Sequence, residues 1–311
     1  MKQLRTVFMG TPDFSVPCLK KLMEVANVIA VVTQPDKPRG RGQKLSPSPV
    51  KAFALEQGLP VYQPARIKTP EFEQVLVDLQ PELMVVVAFG QILSQRILDI
   101  PTYGCVNVHA SLLPRYRGAA PIHWSIINGE TRTGVTTMFM DAGLDTGDML
   151  LKTEVAIGPE MVTEELHDML MEGGAELLGQ TVEKIATGTI QREKQQDELS
   201  NYAPLLTKET GHIDWNSSAA AIHNLVRGLN SWPGAYTFLD GQKFKIWRTR
   251  MVEQAGSGAA GEVIAATKQG FLVATGQGAL EILELQAPSK KKMAAHDYIC
   301  GHGLKLGMRF A

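Results

Sequence analysis

Short apolar runs alternate with segments of helical spacing along the first part of the chain. The runs Leu4–Met9 and Val28–Val32 are largely apolar and predict strands, and the continuous apolar run Leu83–Ala88 predicts a central strand of a parallel sheet. Between them, Pro70–Leu79 has apolar side chains three or four residues apart and predicts a helix. Alternation of strand and helix is typical of an α/β fold with a mostly parallel sheet.

The turn after the first run carries one glycine, Gly10, before a predicted helix that extends to about Val25. This order of strand, glycine and helix favours a Rossmann-like first unit. A single glycine does not make the G-x-G-x-x-G fingerprint, so the turn lacks the signature of a dinucleotide site.

The pattern changes in the last third of the chain, which predicts a small β-barrel. Turns such as Asp240–Gly241 separate five short strand-like runs, at Ala235–Leu239, Phe244–Arg250, Gly261–Ala266, Phe271–Ala274 and Ala279–Leu285. Residues 190–208 are mostly polar and irregular, and we expect them to link two domains. The expected organisation is therefore a first domain at 1–189, the linker, and a second domain at 209–311.

Composition narrows the class of protein. A chain of 311 residues, 44% of them apolar, suits about two domains with ordinary cores. No run approaches the roughly 18 apolar residues of a membrane span, and the first strand begins too early to leave room for a signal peptide. The three cysteines are far apart and odd in number, which fits a reducing compartment and gives no zinc spacing. We expect a cytoplasmic protein without a membrane partner or a metal.

Charge is distributed unevenly, although the net charge is −1. Residues 1–189 carry 17 Lys and Arg against 21 Asp and Glu, a net charge of −4. Residues 209–311 carry 11 against 8, a net charge of +3. The basic C-terminal part is a weak indication of an anionic partner.

The stretch Gly104–Asp148 holds the residues best suited to chemistry. Its apolar run Cys105–His109 predicts a buried strand. Asn107 and His109 lie two residues apart in it, so their side chains face the same side of the strand. Asp145 follows a second predicted strand, in an acidic and glycine-rich turn.

Ligands of open α/β sheets bind at the carboxyl ends of the strands, where these three side chains are expected to meet. An amide and an imidazolium can stabilise an oxyanion, and a carboxylate can hold the imidazole charged and help to move protons. The combination suits acyl transfer. Taken singly, His109 could equally be a satisfied core histidine, and Asp145 could simply shape its turn.

Four short motifs in this stretch carry a family resemblance: Asn107–His109, Ser111–Pro114, Arg117–Gly118 and Leu144–Gly147. Together they resemble the signature of the 10-formyltetrahydrofolate-dependent formyltransferases. The motifs are specific for that family, but they do not identify the acceptor, because members that act on glycinamide ribonucleotide, amino sugars and methionyl-tRNA share them.

The resemblance implies both the formyl donor and the site residues. The donor is expected to be 10-formyltetrahydrofolate, and catalysis is expected from Asn107, His109 and Asp145. The loop after the strand Leu83–Ala88 is expected to wrap the pterin, because Gly90 permits close approach of the main chain. The expected folate contacts are Phe89, Gly90, Gln91, Ile92, Leu93, Ser111, Leu112, Leu113, Pro114 and Asp141.

A basic insertion at Gln34–Ser48 is longer than the usual βα connection of about 2–6 residues. Its basic residues are Lys37, Arg39, Arg41 and Lys44, and arginine forks suit phosphate groups. The charge of this insertion, taken by itself, favours a mobile, solvated loop over a binding loop. The insertion nevertheless resembles the loop by which the methionyl-tRNA branch of the family engages the acceptor end of initiator tRNA.

The C-terminal part adds further candidate contacts to tRNA. Arg227–Asn230 and Trp232–Ala235 match the C-terminal domain of that branch, which is an OB-type barrel that binds tRNA. The resemblance makes the basic run Lys290, Lys291 and Lys292 a candidate phosphate contact.

The resemblance covers essentially the whole chain. It implies transfer of the formyl group from the folate donor to the α-amino group of methionine on initiator tRNA, without a metal and by a monomer. Two alternatives stay open at this point: a formyltransferase acting on a small amine, such as a nucleotide-linked amino sugar, and an RNA-binding protein with an inactive folate-like domain.

Overall fold

The computed structural model describes residues 3–39, 44–252, 258–302 and 304–311. Its Cα packing divides the chain into two compact units. The first unit comprises Met1–Gly118, Thr133–Val155 and His167–Ala203, and the second comprises Ala119–Arg132, Ala156–Leu166 and Pro204–Ala311. The domain limits derived from the sequence, 1–189 and 209–311, stay predictions.

Strands are numbered along the chain. They are β1 Arg5–Gly10, β2 Asn27–Val32, β3 Lys37–Arg39, β4 Lys44–Ser46, β5 Val61–Tyr62, β6 Leu83–Val87, β7 Cys105–His109, β8 Arg117–Gly118, β9 Arg132–Phe139, β10 Met149–Ala156, β11 Tyr202–Ala203, β12 Ala235–Leu239, β13 Gln242–Val252, β14 Val263–Ala266, β15 Phe271–Ala274, β16 Ala279–Gln286 and β17 Met293–Ala294. The α-helices are α1 Ser15–Val25, α2 Pro49–Glu56, α3 Pro70–Leu79, α4 Gln95–Leu98, α5 Pro121–Ile127, α6 Thr163–Ala186, α7 Ala219–Gly228 and α8 Ala295–His302.

Seven strands form the sheet of the first unit, in the order β10-β9-β7-β6-β1-β2-β5. Each neighbouring pair from β7 to β5 is parallel, whereas β7 and β9 are antiparallel. The mostly parallel α/β sheet predicted from the sequence is confirmed. Since β6 and β7 are adjacent and parallel, the loops that follow them leave the same edge of the sheet.

Local sequence explains where the main elements begin. Every residue of β6 is buried, as its continuous apolar run predicts. Helices α2 and α3 start at Ser48 and Thr69, whose side-chain oxygens accept hydrogen bonds from the main-chain N–H three residues later. Pro49 and Pro70 follow these caps, where proline lacks an N–H that the helix does not need.

An antiparallel sheet forms the second unit, in the order β12-β13-β16-β15-β14, with β17 paired to β16. Phe310 bridges Leu239 on the edge strand β12, and Arg309 bridges Glu262 next to the opposite edge strand β14. The last residues of the chain therefore pair with both edges and close the sheet. The predicted barrel is confirmed, and its edges are covered as in other closed β-folds.

In the parts of the chain that the structure describes, no helix is both long and apolar enough to cross a membrane.

Candidate active site

Asn107, His109 and Asp145 lie together in the first unit, toward the carboxyl end of β7. Asn107 Nδ2 is 3.5 Å from one oxygen of the Asp145 carboxylate, and His109 Nδ1 is 3.7 Å from the other. The side chains of His109 and Asp145 are 6% and 14% exposed. The carboxylate therefore faces both the amide and the imidazole in a largely dry cluster.

A main-chain carbonyl determines which nitrogen of His109 carries a proton. His109 Nε2 lies 2.9 Å from the carbonyl oxygen of Tyr116. A carbonyl can only accept, so Nε2 must be the donor in this hydrogen bond. The nitrogen that faces Asp145, Nδ1, is consequently the one that remains for a reacting group.

The turn that carries Asp145 has a constrained main chain. Asp145 has φ +53°, in the left-handed region that few residues other than glycine adopt. Its carboxylate accepts a hydrogen bond of 2.9 Å from the main-chain N–H of Gly118. A Cβ at Gly147 would lie 1.8 Å from the carbonyl oxygen of Phe139, so the turn requires glycine there. These contacts hold the carboxylate in one direction.

Asp141, an expected folate contact, is exposed at the start of the same turn. Its carboxylate accepts hydrogen bonds from the N–H of Gly143 at 3.0 Å and the hydroxyl of Thr146 at 2.7 Å. Asp141 thus helps to shape the turn, and its part in folate binding stays a prediction.

The loop after β6 presents some of the expected folate residues and buries others. Gly90 and Ile92 are exposed, Gly90 with φ +84° and Ile92 with 69% of its surface exposed. Phe89 and Leu93 are buried in the core of the first unit. The Gln91 side chain binds main-chain groups of residues 64 and 67, so it braces the loop. Of the expected folate residues in this loop, the main chain of Gly90 and the apolar side chain of Ile92 therefore face outward.

The turn after β7 is held by buried hydrogen bonds. The Ser111 hydroxyl is buried and donates to the carbonyl of Arg115 at 2.6 Å. Leu113 is buried beside two methionines, and its peptide bond to Pro114 is cis. Leu112 and Pro114 are half-buried. Of the four expected folate residues here, Ser111 and Leu113 thus fix the turn, and Leu112 and Pro114 lie nearer its surface.

The basic insertion contains a β-hairpin, which the sequence did not predict. Strands β3 and β4 are antiparallel, and Lys37 pairs with Ser46 while Arg39 pairs with Lys44. Lys37 is exposed. Arg41 lies outside the described residues. In the main-chain pairing of this hairpin, Arg39 lies opposite Lys44.

An ion pair anchors the base of the hairpin. Lys51 Nζ lies 2.7 Å from the carboxylate of Asp36, which also accepts from the Gln63 amide at 2.8 Å. The hydrogen bond from Lys51, together with the one from Gln63, lowers the pKa of Asp36. The carboxylate stays charged and neutralises Lys51.

Lys290, Lys291 and Lys292 are exposed in the second unit. Lys292 Nζ forms an ion pair of 2.6 Å with Glu284, which partly offsets its charge. The run remains a candidate phosphate contact, with Lys290 and Lys291 as its more available charges.

Strand β13 carries basic residues that the sequence analysis missed. Lys243, Lys245 and Trp247 lie two residues apart on the face opposite the buried core residues of this strand. Lys243 Nζ lies 3.3 Å from the ring centroid of Tyr236, and Lys245 Nζ lies 5.3 Å from that of Trp247. Burial, followed by the neighbouring charges of Lys245 and Lys208, lowers the pKa of Lys243. The alternation of basic and aromatic residues along β13 is the sequence pattern that could have identified this face.

Two side chains from the predicted linker also reach the site. Gln195 Nε2 donates to the main-chain carbonyls of Asp145 and Gly147, each at 2.8 Å. The Asn201 side chain accepts a hydrogen bond from the N–H of Tyr116, whose carbonyl binds His109. No local pattern predicted these contacts, because the partners are 48 to 85 residues apart in the chain.

Cys105, in strand β7, lacks the low thiol pKa of a reactive nucleophile. Cys105 is buried at the start of β7, and burial raises the pKa of its thiol to about 12. The thiol therefore stays protonated at neutral pH. Among the described residues, no group of three or more His, Cys, Asp or Glu side chains is placed to hold a metal ion.

Known proteins resemble this chain over nearly its whole length. A family profile for formyl transferase matches residues 5–182, and a profile for the formyl transferase C-terminal domain matches residues 205–303. The methionyl-tRNA formyltransferase of Geobacter metallireducens is 53% identical over 310 residues, which are 99% of each chain. That of Caldanaerobacter subterraneus subsp. tengcongensis is 54% identical over 306 residues, 98% of this chain and 99% of the relative.

Solved structures share the fold. The crystal structure of WlaRD, a sugar 3N-formyltransferase, in the presence of dTDP and 5-N-formyl-THF has a TM-score of 0.68 and 18% identity, over 94% of this chain and all of that one. HypX from Aquifex aeolicus in complex with tetrahydrofolic acid has a TM-score of 0.63 and 17% identity, over 98% of this chain and 49% of that one. These structures show the fold, and the profiles and the full-length relatives show that the chain belongs to the formyl transferase family.

Proposed function

We propose that this protein transfers the formyl group of 10-formyltetrahydrofolate to the α-amino group of methionine on initiator tRNA. One observation carries the proposal: a clustered Asn107, His109 and Asp145 in a chain 53% identical, over 99% of its length, to a methionyl-tRNA formyltransferase. If the chain resembled only a smaller or partial relative with the same three side chains, the resemblance would support formyl transfer but would not identify the acceptor.

Asn107 and His109 are the proposed oxyanion donors. When an amine attacks a formyl carbon, negative charge develops on the formyl oxygen, and preorganised donors lower the barrier. Asn107 supplies its amide N–H. His109 acts through Nδ1, because Nε2 already donates to the carbonyl of Tyr116. Donation from Nδ1 as well requires the imidazolium form, and Nδ1 lies 3.7 Å from the carboxylate of Asp145.

Asp145 is the proposed proton acceptor. The attacking amine must lose a proton as the new C–N bond forms, and a carboxylate near the reacting atoms can pass this proton, directly or through water, to N10 of the folate as the bond between the formyl carbon and N10 breaks and tetrahydrofolate leaves. The hydrogen bond from the N–H of Gly118 keeps this carboxylate directed at Asn107 and His109. No covalent bond to the enzyme is required in this scheme.

The loops after β6 and β7 are the proposed folate site. They leave the same edge of the sheet as the catalytic side chains. The exposed main chain of Gly90 suits the hydrogen-bonding edge of a pterin, and the exposed apolar side chain of Ile92 suits its ring face. Buried Phe89 and Leu93 hold the first of these loops in place.

Basic surfaces on each unit are the proposed contacts to tRNA. One is the basic insertion that contains Lys37, Arg39, Arg41 and Lys44, and the other combines the run 290–292 with Lys243, Lys245 and Trp247. Lysine and arginine neutralise phosphates, and an aromatic ring can stack on an unpaired base. Such an acceptor implies action in the cytoplasm, where we expect the protein to work as a monomer.

Transfer of a labelled formyl group tests the proposal. The donor is 10-formyltetrahydrofolate, and the acceptors are Met-charged initiator tRNA, Met-charged elongator tRNA and a nucleotide-linked amino sugar. We expect transfer confined to the initiator tRNA. Transfer to the amino sugar alone would keep the reaction and overturn the acceptor, whereas transfer to none of the three would favour a binding protein.

A further inference from the structure

We propose that Gln195 is a positioning residue, which holds the main chain of the Asp145 turn so that the carboxylate faces Asn107 and His109. The inference rests on the proposed function, because Asp145 is one of the three residues to which formyl transfer is assigned. Gln195 touches none of the reacting groups in this scheme and acts through the turn.

Both ends of the Gln195 amide form hydrogen bonds at this point. Nε2 donates to the carbonyls of Asp145 and Gly147, both at 2.8 Å, and Oε1 accepts from Arg117 Nε at 3.0 Å. A glutamine side chain offers two N–H donors at its nitrogen and lone pairs at its oxygen, so both ends are matched. If the nitrogen and oxygen of the Gln195 amide changed places, the oxygen would face two carbonyl oxygens and the nitrogen would face the N–H of Arg117. Neither contact would be a hydrogen bond, so the partners determine the observed orientation.

Gln195 and Gly118 hold Asp145 at opposite ends. Gly118 binds the carboxylate of Asp145, and Gln195 binds its main-chain carbonyl. Between these two points the residue has φ +53°, a conformation that persists when its surroundings determine it strongly. Without Gln195, the carbonyls of Asp145 and Gly147 lose the donor that ties them together, and the direction of the carboxylate is less well defined.

The segment that carries Gln195 is itself fastened to the first unit. Two main-chain hydrogen bonds, of 2.8 and 2.9 Å, pair Glu193 with Met149 at the start of β10. On the other side of Gln195, the carboxylate of Asp197 forms an ion pair of 2.8 Å with Arg117. Gln195 therefore approaches the turn from a segment held on both sides, which is what a positioning role requires.

The expected signature is a loss of rate without a loss of binding. A displacement of about 1 Å at a reacting group can cost on the order of 10²-fold in rate. Among the described residues, the hydrogen bonds of the Gln195 side chain go to Asp145, Gly147 and Arg117 and to neither of the loops after β6 and β7 that are assigned to the folate. We therefore expect Gln195→Met, which keeps the length of the side chain and removes the amide, to lower kcat by about 10- to 100-fold and to leave KM for donor and tRNA within about twofold.

A double-mutant cycle with Asp145→Ala provides the decisive comparison. If Gln195 acts through Asp145, Gln195→Met lowers kcat in the wild-type background and has little further effect once the carboxylate is gone. Gln196→Met is the matched control, because Gln196 is the exposed neighbour on the same segment and should retain wild-type kcat. Hydrogen exchange of the peptide spanning residues 139–149 supplies a readout that does not depend on activity.

We expect faster exchange of that peptide in Gln195→Met and unchanged exchange in Gln196→Met. Unchanged exchange and kcat in Gln195→Met would overturn the inference, as would an equal loss of kcat in the two backgrounds. A wild-type protein without formyl transfer would instead overturn the proposed function, and the exchange rates would still decide whether Gln195 holds the turn.

Discussion

His223 is a buried imidazole of the second unit whose surroundings favour the neutral ring. Its Nε2 donates to the carbonyl of Pro159 at 3.1 Å, and its Nδ1 lies 2.9 Å from the hydroxyl of Thr249. Burial lowers the pKa of His223 and outweighs the hydrogen bond to Pro159 and the charge of Glu160, which raise it, while the charge of Arg227 lowers it further. The folded protein therefore binds a proton at this site less readily than the unfolded chain.

This depressed pKa makes stability depend on pH with a definite sign. The unfolded histidine takes up a proton below about pH 6.5, whereas the folded one resists it, so the contribution of His223 is full above that pH and falls as the pH drops toward the folded pKa. We expect His223→Gln to reduce the loss of unfolding free energy between about pH 7.5 and 5.5. Urea unfolding at the two pH values measures this, and His212→Gln, at an exposed position, is the control. An unchanged pH dependence in His223→Gln would contradict the assignment.

The turn between β9 and β10 is the element on which the site depends most. A Cβ at Gly147 would lie 1.8 Å from the carbonyl oxygen of Phe139, and a main-chain atom cannot move aside as a flexible side chain can. Gly147→Ala is therefore expected to shift the turn and to lower kcat by on the order of 10²-fold. Formyl-transfer kinetics measure the effect. Gly158→Ala is the control, because its Cβ would meet its nearest neighbour at an ordinary 3.8 Å, and equal kinetics for both variants would contradict this account.

Elements with a strong local period were predictable from the sequence, and elements that depend on distant pairing were not. Helix α3 has the predicted limits, Pro70–Leu79, because its caps and its apolar spacing agree. Strand β10 was missed because it is an edge strand that alternates exposed Lys152 and Glu154 with half-buried residues. Such a strand is defined by its neighbour more than by its own residues.

The same distinction holds within the site. The two-residue period of β7 predicted that Asn107 and His109 share a face, and the family motif supplied Asp145. Gln195 and Asn201 carry no local signal, because they lie in an irregular polar segment and act on main-chain groups far away in the sequence. Polar residues that bind main-chain groups do not contribute to the regular spacing of apolar side chains, which is the pattern that sequence analysis detects.

Closure of the barrel by the chain terminus makes the second unit depend on its last residues. Phe310 is 2% exposed, its ring stacks on that of Phe271 at 6.0 Å, and its main chain pairs with Leu239. We expect Phe310→Ala to lower the unfolding free energy of this unit by about 3–5 kcal/mol, the usual cost of deleting a buried aromatic ring. Thermal and urea unfolding measure this. Leu306→Ala, at a side chain that is 65% exposed, should change stability little, and a similarly small effect for Phe310→Ala would contradict the packing described.

Electrostatic binding of tRNA should involve the whole molecule, because both units present basic surfaces. Arg41→Ala is expected to weaken tRNA binding at every salt concentration tested and to reduce the slope of log affinity against log salt by about 1, with KM for the folate donor unchanged. Binding titrations over a range of salt measure the slope. Arg66→Ala, an exposed arginine outside the insertion, is the control. The same slope for Arg41→Ala as for wild type would remove this residue from the proposed contact.

The most direct test of the assigned site is the single-turnover rate of formyl transfer to Met-charged initiator tRNA by Asn107→Ala. Removal of one oxyanion donor typically costs about 10²–10³ in rate, so we predict a loss of at least that size in a protein that unfolds at the wild-type temperature. Asn27→Ala, at an exposed position on β2, should transfer at the wild-type rate. A near-normal rate for Asn107→Ala would contradict the role of this cluster in formyl transfer.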